Sequence, residues 1–359
     1  MASDIFLPNR TDLAGSWFLD SGIRYVSGGF ARFYGADLGK NRRLSTEITG
    51  YSISALAYLY QRTGETRYLI AAKDAADFLV NAAWLPSPGI WPFEYPTSDG
   101  PEPLTYFFDT GIIVRGLLAL WRINGSQGLL DAAIAGGESM NLFSTCEAGV
   151  HNPILSLPSL QPLAYQSQWS RSPGCYQLKS ALAWRELSVV TGRSDFRDSW
   201  VKTATWAIRH ADAFLPAETR SKTMDRLHAY LYFLEAMLFE HEENVLSRGI
   251  TMVSHNLRKI RDEFERADVN AQLLRIRLLA HQAGLVPWNE VEGREEARRI
   301  ATFQALSDDE RLHGGYFFGR RGPDLVPHVN PVSTAFCLQA LEMLSDFDCG
   351  KKLDEMSLI

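Results

Sequence analysis

A pair of helices, the first apolar almost all the way round and the second striped, recurs along the chain and constrains its fold more than any other feature. The stretch STEITGYSISALAYLYQRTGETRYLIAAKDAADFLV, residues 45–80, contains one full copy. From about Gly50 to Tyr60 nearly every position is apolar, including Tyr51, Ile53, Leu56 and Leu59. After a Thr-Gly-Glu-Thr turn, Tyr68, Ala72, Ala75 and Leu79 face one way, and Arg67, Lys73, Asp74 and Asp77 another. A helix hydrophobic on every side has to be enclosed on every side, whereas a striped one lies at a surface.

The pattern returns from Asp109 (DTGIIVRGLLALWRINGSQGLLDAAIAGGESM), where Thr110-Gly111 matches Thr49-Gly50, and again from Tyr176, where Thr191-Gly192 stands for Thr63-Gly64. Weaker copies span 225–253 and 268–303. The last, NPVSTAFCLQALEML (330–344), supplies only a buried helix, for which the segment around Trp17–Tyr25 is the expected outer partner. Six such hairpins without polar capping repeats predict an all-α (α/α)6 barrel rather than an open solenoid, with short β-hairpins in the loops at its mouth. The expected organisation is one domain over 1–359 with an irregular tail from about 346. Leu56, Leu117, Leu182, Phe233 and Leu338 should be buried, and Lys73, Asp74 and Asp77 exposed. Long aromatic, glycine-bearing loops precede inner helices at 27–35, 85–108, 157–174 and 313–330, and loops of that length are usually functional.

A net charge of −6, with basic and acidic residues interspersed, argues against nucleic acid as a partner. Cys146, Cys175, Cys337 and Cys349 form no Cys-x-x-Cys pair and the eight histidines do not cluster, so neither a metal nor another cofactor is expected. MASDIFLPNRTDL lacks the marks of a signal peptide and no apolar run reaches membrane-spanning length; the expectation is a cytoplasmic protein with no membrane partner. Phosphate-loop, dinucleotide and nucleophile-elbow motifs are absent.

The first turns of the inner helices carry polar residues: Glu47, Asp109, Tyr176, then Asp225 with Arg226 and His228, Asp268 with Asn270, and His328 with Asn330. Each one alone is explained by helix capping. Together, under aromatic loops, they describe a concave site lined with carboxylates and a few cations.

The repeated buried helix, the RTGETRYLIAAKDAADFL turn and outer helix, and FFDTG opening the second hairpin resemble the six-hairpin glycosidase superfamily, nearest in flavour to the unsaturated glucuronyl hydrolases. The resemblance covers most of 27–345. It implies two acids opening successive inner helices, at positions matching Glu47 and Asp109; Glu47 replaces an aspartate, and TEITGY replaces an Asp-x-Gly-Phe pattern.

The chemistry follows from the residues independently. Hydrolysing or hydrating a sugar acetal needs a proton donor and a second carboxylate or a polarised water. Two carboxyls in one dry cleft repel, so one holds its proton while the other ionises. Asp109, behind Tyr106, Phe107 and Phe108, is the expected general acid/base and Glu47 its electrostatic partner. Trp91, Tyr95, Tyr106, Trp169 and Tyr176 are candidates to stack on a sugar, with core packing as the alternative for each. Arg226 and His228 could hold a uronate carboxylate, with an ion pair to Asp225 or an outer-loop position as the alternative. Asn330 completes the candidate binding set, and His328 is a candidate second proton carrier. The expected partner is an oligosaccharide, hydrolysed at a uronic-acid-containing or unsaturated unit. An epimerase or polysaccharide lyase, with His328 or Tyr176 as base, and a non-catalytic glycan- or protein-binding ring are the alternatives.

Overall fold

The computed structural model describes residues 10–95, 103–215 and 222–359. The expectations that concern the first nine residues and part of the 85–108 loop therefore lie outside the described residues. The chain divides into two compact units. The first comprises Arg24–Arg32 and Arg43–Phe214; the second comprises Met1–Ile23, Phe33–Arg42 and Leu215–Ile359.

Three hairpins make up the first unit: α2 (Thr46–Thr63) with α3 (Thr66–Asp77), α4 (Phe107–Asn124) with α5 (Gln127–Ser139), and α6 (Leu178–Thr191) with α7 (Ser194–Phe214). Each inner helix stops at a glycine, Gly64, Gly125 or Gly192, whose left-handed backbone (φ 72°, 65° and 71°) turns the chain into its outer partner. That turn is what Thr63-Gly64 and Thr191-Gly192 signal in the sequence; at Gly125 the preceding residue is Asn124. Leu56, Leu117 and Leu182 are buried, and Lys73, Asp74 and Asp77 are exposed, as the patterning requires.

The other recurrent pair, Thr49-Gly50 and Thr110-Gly111, has a separate role. A Cβ added to Gly50 would lie 2.9 Å from the Cα of Ile113, and one added to Gly111 would lie 2.5 Å from the carbonyl oxygen of Ser180. Backbone therefore meets backbone where α2 crosses α4 and α4 crosses α6, an approach that side chains would forbid. Two antiparallel ribbons flank these crossings. β1 (Phe30–Ala31) pairs with β4 (Leu44–Ser45), and β5 (Leu104–Tyr106) with β6 (Ile154–Ser156), in the registers Phe30↔Ser45 and Tyr106↔Ile154.

The second unit also holds three hairpins: α8 (Thr223–Met237) with α9 (Glu243–Ile260), α10 (Ala267–Gln282) with α11 (Glu290–Ala301), and α12 (Pro331–Asp348) with α1 (Arg10–Asp20). The outer partner of α12 does come from the N-terminal region, but it starts at Arg10, earlier than the aromatic run at Trp17 suggests. Phe233 and Leu338 are buried. Two three-stranded ribbons accompany these helices: β10 (His328–Val329), β2 (Tyr34–Gly35) and β3 (Lys40–Asn41) in one, and β7 (Phe264–Arg266), β8 (Gly319–Arg321) and β9 (Asp324–Leu325) in the other. Residues beyond α12 are fastened to it and to α10: Gln339 Nε2 donates to the Ser357 carbonyl and Gln282 Nε2 to that of Leu353, both within 2.8 Å. No helix among the described residues is long and apolar enough to cross a membrane.

Candidate active site

Helix α2 begins at Thr46, about a turn before the apolar run does, and its cap is Ser45, whose Oγ accepts the Ile48 N–H. Glu47 is thus the second residue inside the helix and is not its cap. In α4, Asp109 is the third residue, the flanking Tyr106 makes no side-chain cap, and Asp109 Oδ2 is buried with no hydrogen-bond partner among the described residues. Capping, a sufficient explanation for either acid in the sequence, accounts for neither in the structure. Asn330 is the contrast: its Oδ1 accepts the Ser333 N–H at 2.7 Å and its Nδ2 reaches Ser333 Oγ, so it is the cap of α12.

Glu47 and Asp109 do not occupy equivalent places in the repeat. Matching Thr49 to Thr110 aligns Asp109 with Ile48. The close crossing at Gly50 is what brings the heads of α2 and α4 together, so that Asp109 feels the charge of Glu47. Burial, opposed only by Arg32, pushes Glu47 up to about 7. Asp109 is 6% exposed; burial first, then Glu47, holds it well above the usual carboxylate range, against the pull of Arg32. Both carboxyls therefore hold a proton more tightly than an ordinary carboxylate, Asp109 through burial and the nearby Glu47, and Glu47 through burial. A pair of this kind can give a proton and take one.

Around the pair stand residues of three loops. Tyr106, half-buried, is pushed to about 12 by burial and by Asp109, and its ring lies 4.7 Å from that of Phe93. Arg32 lies over Phe93, with its guanidinium carbon 4.8 Å from the ring centroid, and donates to Glu94 at 3.3 Å. Arg171 adds a second positive charge felt by Tyr106. Trp169 stands edge-on to Tyr176, with centroids 4.9 Å apart.

Two aromatic candidates are corrected here. Trp91 is 2% exposed, its indole N–H donates to the Leu79 carbonyl at 2.8 Å, and it packs against Trp84; it is core and has no face to offer a sugar. Tyr176 is 1% exposed and gives its hydroxyl to the Ser172 carbonyl at 3.1 Å, backing Asp109 from the interior. Tyr95 is 40% exposed and tilted against Phe78, and Tyr106 and Trp169 are half-buried, so these three stay nearer to solvent than Trp91 and Tyr176.

The remaining candidates belong to the second unit and form a separate cluster. Arg266 donates to Asp268 at 2.9 and 2.6 Å and to Asp225 at 2.9 Å, so Asp225 is paired with an arginine 41 residues on. Arg226 is half-buried on α8. His228 is 5% exposed, with Nδ1 2.7 Å from Gln272 Oε1. Burial, then Arg266, lowers it to about 4. A neutral, buried imidazole is no cation for a uronate, which corrects the expectation for His228. His328 lies between the rings of Phe33 and Phe318, at 4.7 and 4.9 Å, and burial followed by Arg266 lowers it also to about 4. Sequence reasoning missed Arg32, Glu94, Arg171 and Arg266. Single charges in loops carry no periodic signal, and only the short arginine-bearing run SGGFARFYG marked the place of Arg32.

Comparison with known proteins fits this geometry. The family model of pectic acid lyase matches residues 30–156, the stretch that contains both acids, Arg32 and Glu94. No curated protein matches the chain in sequence. Among solved structures, cellobiose 2-epimerase from Spirochaeta thermophila is similar over 95% of this chain and 99% of its own, with a TM-score of 0.73 and 13% identity. An unsaturated glucuronyl hydrolase specific for heparin is similar over 97% and 99% (TM-score 0.68, 11% identity). A D-mannose isomerase is similar over 95% and 98% (TM-score 0.71, 12% identity). The fold is therefore the six-hairpin glycosidase-like fold, of the (α/α)6 class. The solved relatives include a hydrolase, an epimerase and an isomerase, and the family model is that of a lyase.

Proposed function

We propose that this chain is a carbohydrate-active enzyme that cleaves a uronic-acid polymer by β-elimination, with Glu47 and Asp109 as its proton carriers. The observation that carries the reading is the pair of carboxyls at the crossing of α2 and α4, where Asp109 has a buried oxygen with no hydrogen-bond partner among the described residues. The pectic acid lyase match over the same residues favours elimination above hydrolysis.

β-Elimination removes the proton on the carbon beside the uronate carboxylate and expels the glycosidic oxygen one carbon away. Glu47, with its affinity for protons raised to about 7, is a stronger base than an ordinary carboxylate and takes the carbon-bound proton. The electron pair left behind becomes the new carbon–carbon double bond as the carbon–oxygen bond breaks. Asp109, still protonated, gives its proton to the departing oxygen. The carbon acid is weak unless the neighbouring carboxylate is neutralised, and Arg32 and Arg171 are the cations at hand. Tyr106, held in its protonated form, can donate to the same charge. Protonated Asp109 also lessens the repulsion that a uronate would otherwise meet.

Paired carboxyls also suit glycoside hydrolysis, and that reading stays second because the same two groups would serve it. Polygalacturonate separates the two. Elimination raises the ultraviolet absorbance of an unsaturated uronide together with reducing ends; hydrolysis raises reducing ends alone. An epimerase changes neither, yet exchanges a sugar carbon-bound proton for deuterium in D2O. Reducing ends without absorbance would overturn the elimination reading.

A further inference from the structure

Glu94 is the one acid of the first unit's site that is held between two exposed arginines. Its Oε1 accepts from Arg32 at 3.3 Å and its Oε2 from Arg43, while its own side chain is only 16% exposed against 43% and 62% for theirs. Backbone pairing fixes this arrangement. Ser45 bridges to Glu94, Tyr95 N–H donates to the Leu44 carbonyl at 3.0 Å, and the Arg32 N–H donates to the Arg43 carbonyl at 3.0 Å. All three side chains therefore issue from one small ribbon at the cap of α2. Arg32 faces two ways: it touches Glu94 on one side, and on the other it is the cation that both Glu47 and Asp109 feel.

The charges of this cluster do not balance. Two guanidiniums against one carboxylate leave one positive charge within the cluster, which the partly ionised Glu47 offsets only in part, so a further carboxylate would complete it. Arg32 makes the longer of Glu94's two contacts, and its guanidinium carbon lies 4.8 Å from the centroid of the Phe93 ring with the side chain partly open to solvent. We infer that Glu94 occupies on Arg32 the place of a substrate carboxylate, so that the Arg32–Glu94–Arg43 cluster selects an acidic sugar by exchanging one carboxylate for another. On arrival of the uronate, Arg32 turns its fork to the ligand, and Glu94 stays paired with Arg43, so no buried charge is stranded. A neutral sugar brings nothing to displace Glu94 and gains nothing from Arg32. This inference rests on the elimination reading for its substrate class, and it names the group that reads that class.

The test measures direct binding of D-galacturonate and D-galactose to the full chain by calorimetry or ligand-detected NMR, beside turnover of polygalacturonate. Galacturonate should bind tighter than galactose, by a margin that shrinks as salt screens the contact. Arg32→Gln should remove that preference, weakening galacturonate about 10-fold or more while leaving galactose unchanged. Glu94→Gln, which removes the competitor, should tighten galacturonate about 3-fold, and Arg43→Gln, which leaves Glu94 to Arg32 alone, should weaken it by about as much. Opposite signs for Glu94→Gln and Arg43→Gln are the signature of exchange, and thermal melting verifies that each variant folds. Weaker galacturonate binding in Glu94→Gln, or an intact preference in Arg32→Gln, would overturn the inference. Turnover of polygalacturonate with a KM unaffected by Arg32→Gln leaves the reaction standing and removes Arg32 from it. Absence of both galacturonate binding and polygalacturonate turnover defeats the reading and the inference together.

Discussion

The heads of α2 and α4 in the first unit and those of α8 and α10 in the second are built from the same residue types, yet they hold charge in opposite ways. In the first, Glu47 and Asp109 lie together with only Arg32 opposing their desolvation, and both carboxyls are driven toward the neutral form. In the second, burial also penalises Asp268, but Arg266 outweighs it and the aspartate stays ionised below its ordinary range. The same arginine pushes His228 and His328 toward neutrality. A guanidinium bonded directly to two acids gives a fixed ion cluster; one that merely stands near two acids leaves them able to exchange protons. Proton-transfer chemistry fits the first arrangement and structural anchoring the second.

The strongest way to break this contrast is to remove the second unit's cation. Arg266→Met strands Asp268 in a dry environment beside Asp225, and should lower stability by about 3–5 kcal/mol in chemical denaturation, the scale for uncovering a buried charge. A loss below about 1 kcal/mol would mean that the cluster is solvated and the contrast false.

In the first unit the effect should fall on activity instead. Asp109→Asn and Glu47→Gln should each reduce turnover of polygalacturonate by about 10²-fold or more. Their melting temperatures should not fall, because neither substitution breaks an ion pair. The double variant should be little worse than either single one, since the pair acts as a unit. Full activity in Glu47→Gln would remove the carboxylate from the chemistry.

The pH dependence of stability sharpens the comparison further. Glu47 binds its proton more tightly when folded, so its contribution is present below about 4.5 and is lost as pH rises through about 7. Glu47→Gln should flatten the stability curve between those values by about 1–3 kcal/mol. The histidines work in the other direction. His228, His328 and, in the first unit, His151 are lowered to about 4 by burial, so their contribution is present above 6.5 and lost as pH falls through about 4. Parallel pH–stability curves for Glu47→Gln and the parent protein would contradict the assignment.

The smallest expected effect is that of His328→Gln. If proton transfer belongs to the first unit, turnover should change by less than about 3-fold; a loss of about 10²-fold would move the chemistry to the imidazole.

Much of the architecture was legible in the chain. The apolar inner helices, the striped outer ones and the Thr-Gly turns follow from periodicity and from the backbone freedom of glycine, both local properties, and they yielded five complete hairpins and the origin of the sixth outer helix. The two acids could be picked out because they open successive buried helices. What they do there could not. Whether Glu47 capped α2 depended on Ser45, two residues earlier, taking that part, and Asp225 found a partner in Arg266, 41 residues away.

Sequence by itself determined which helices would be buried, because a helix with no polar face has one environment open to it. Tertiary structure decided protonation and partnership. The raised affinity of the Glu47–Asp109 pair comes from desolvation at a crossing that Gly50 permits, and the ionised state of Asp268 from an arginine held against it by the fold. Wrapped in their surroundings, Trp91 and Tyr176 became core while Tyr106 and Trp169 stayed half-buried, although nothing in the composition of the four distinguishes them. Electrostatic energies depend on distance and on the surrounding medium, and a linear sequence states neither.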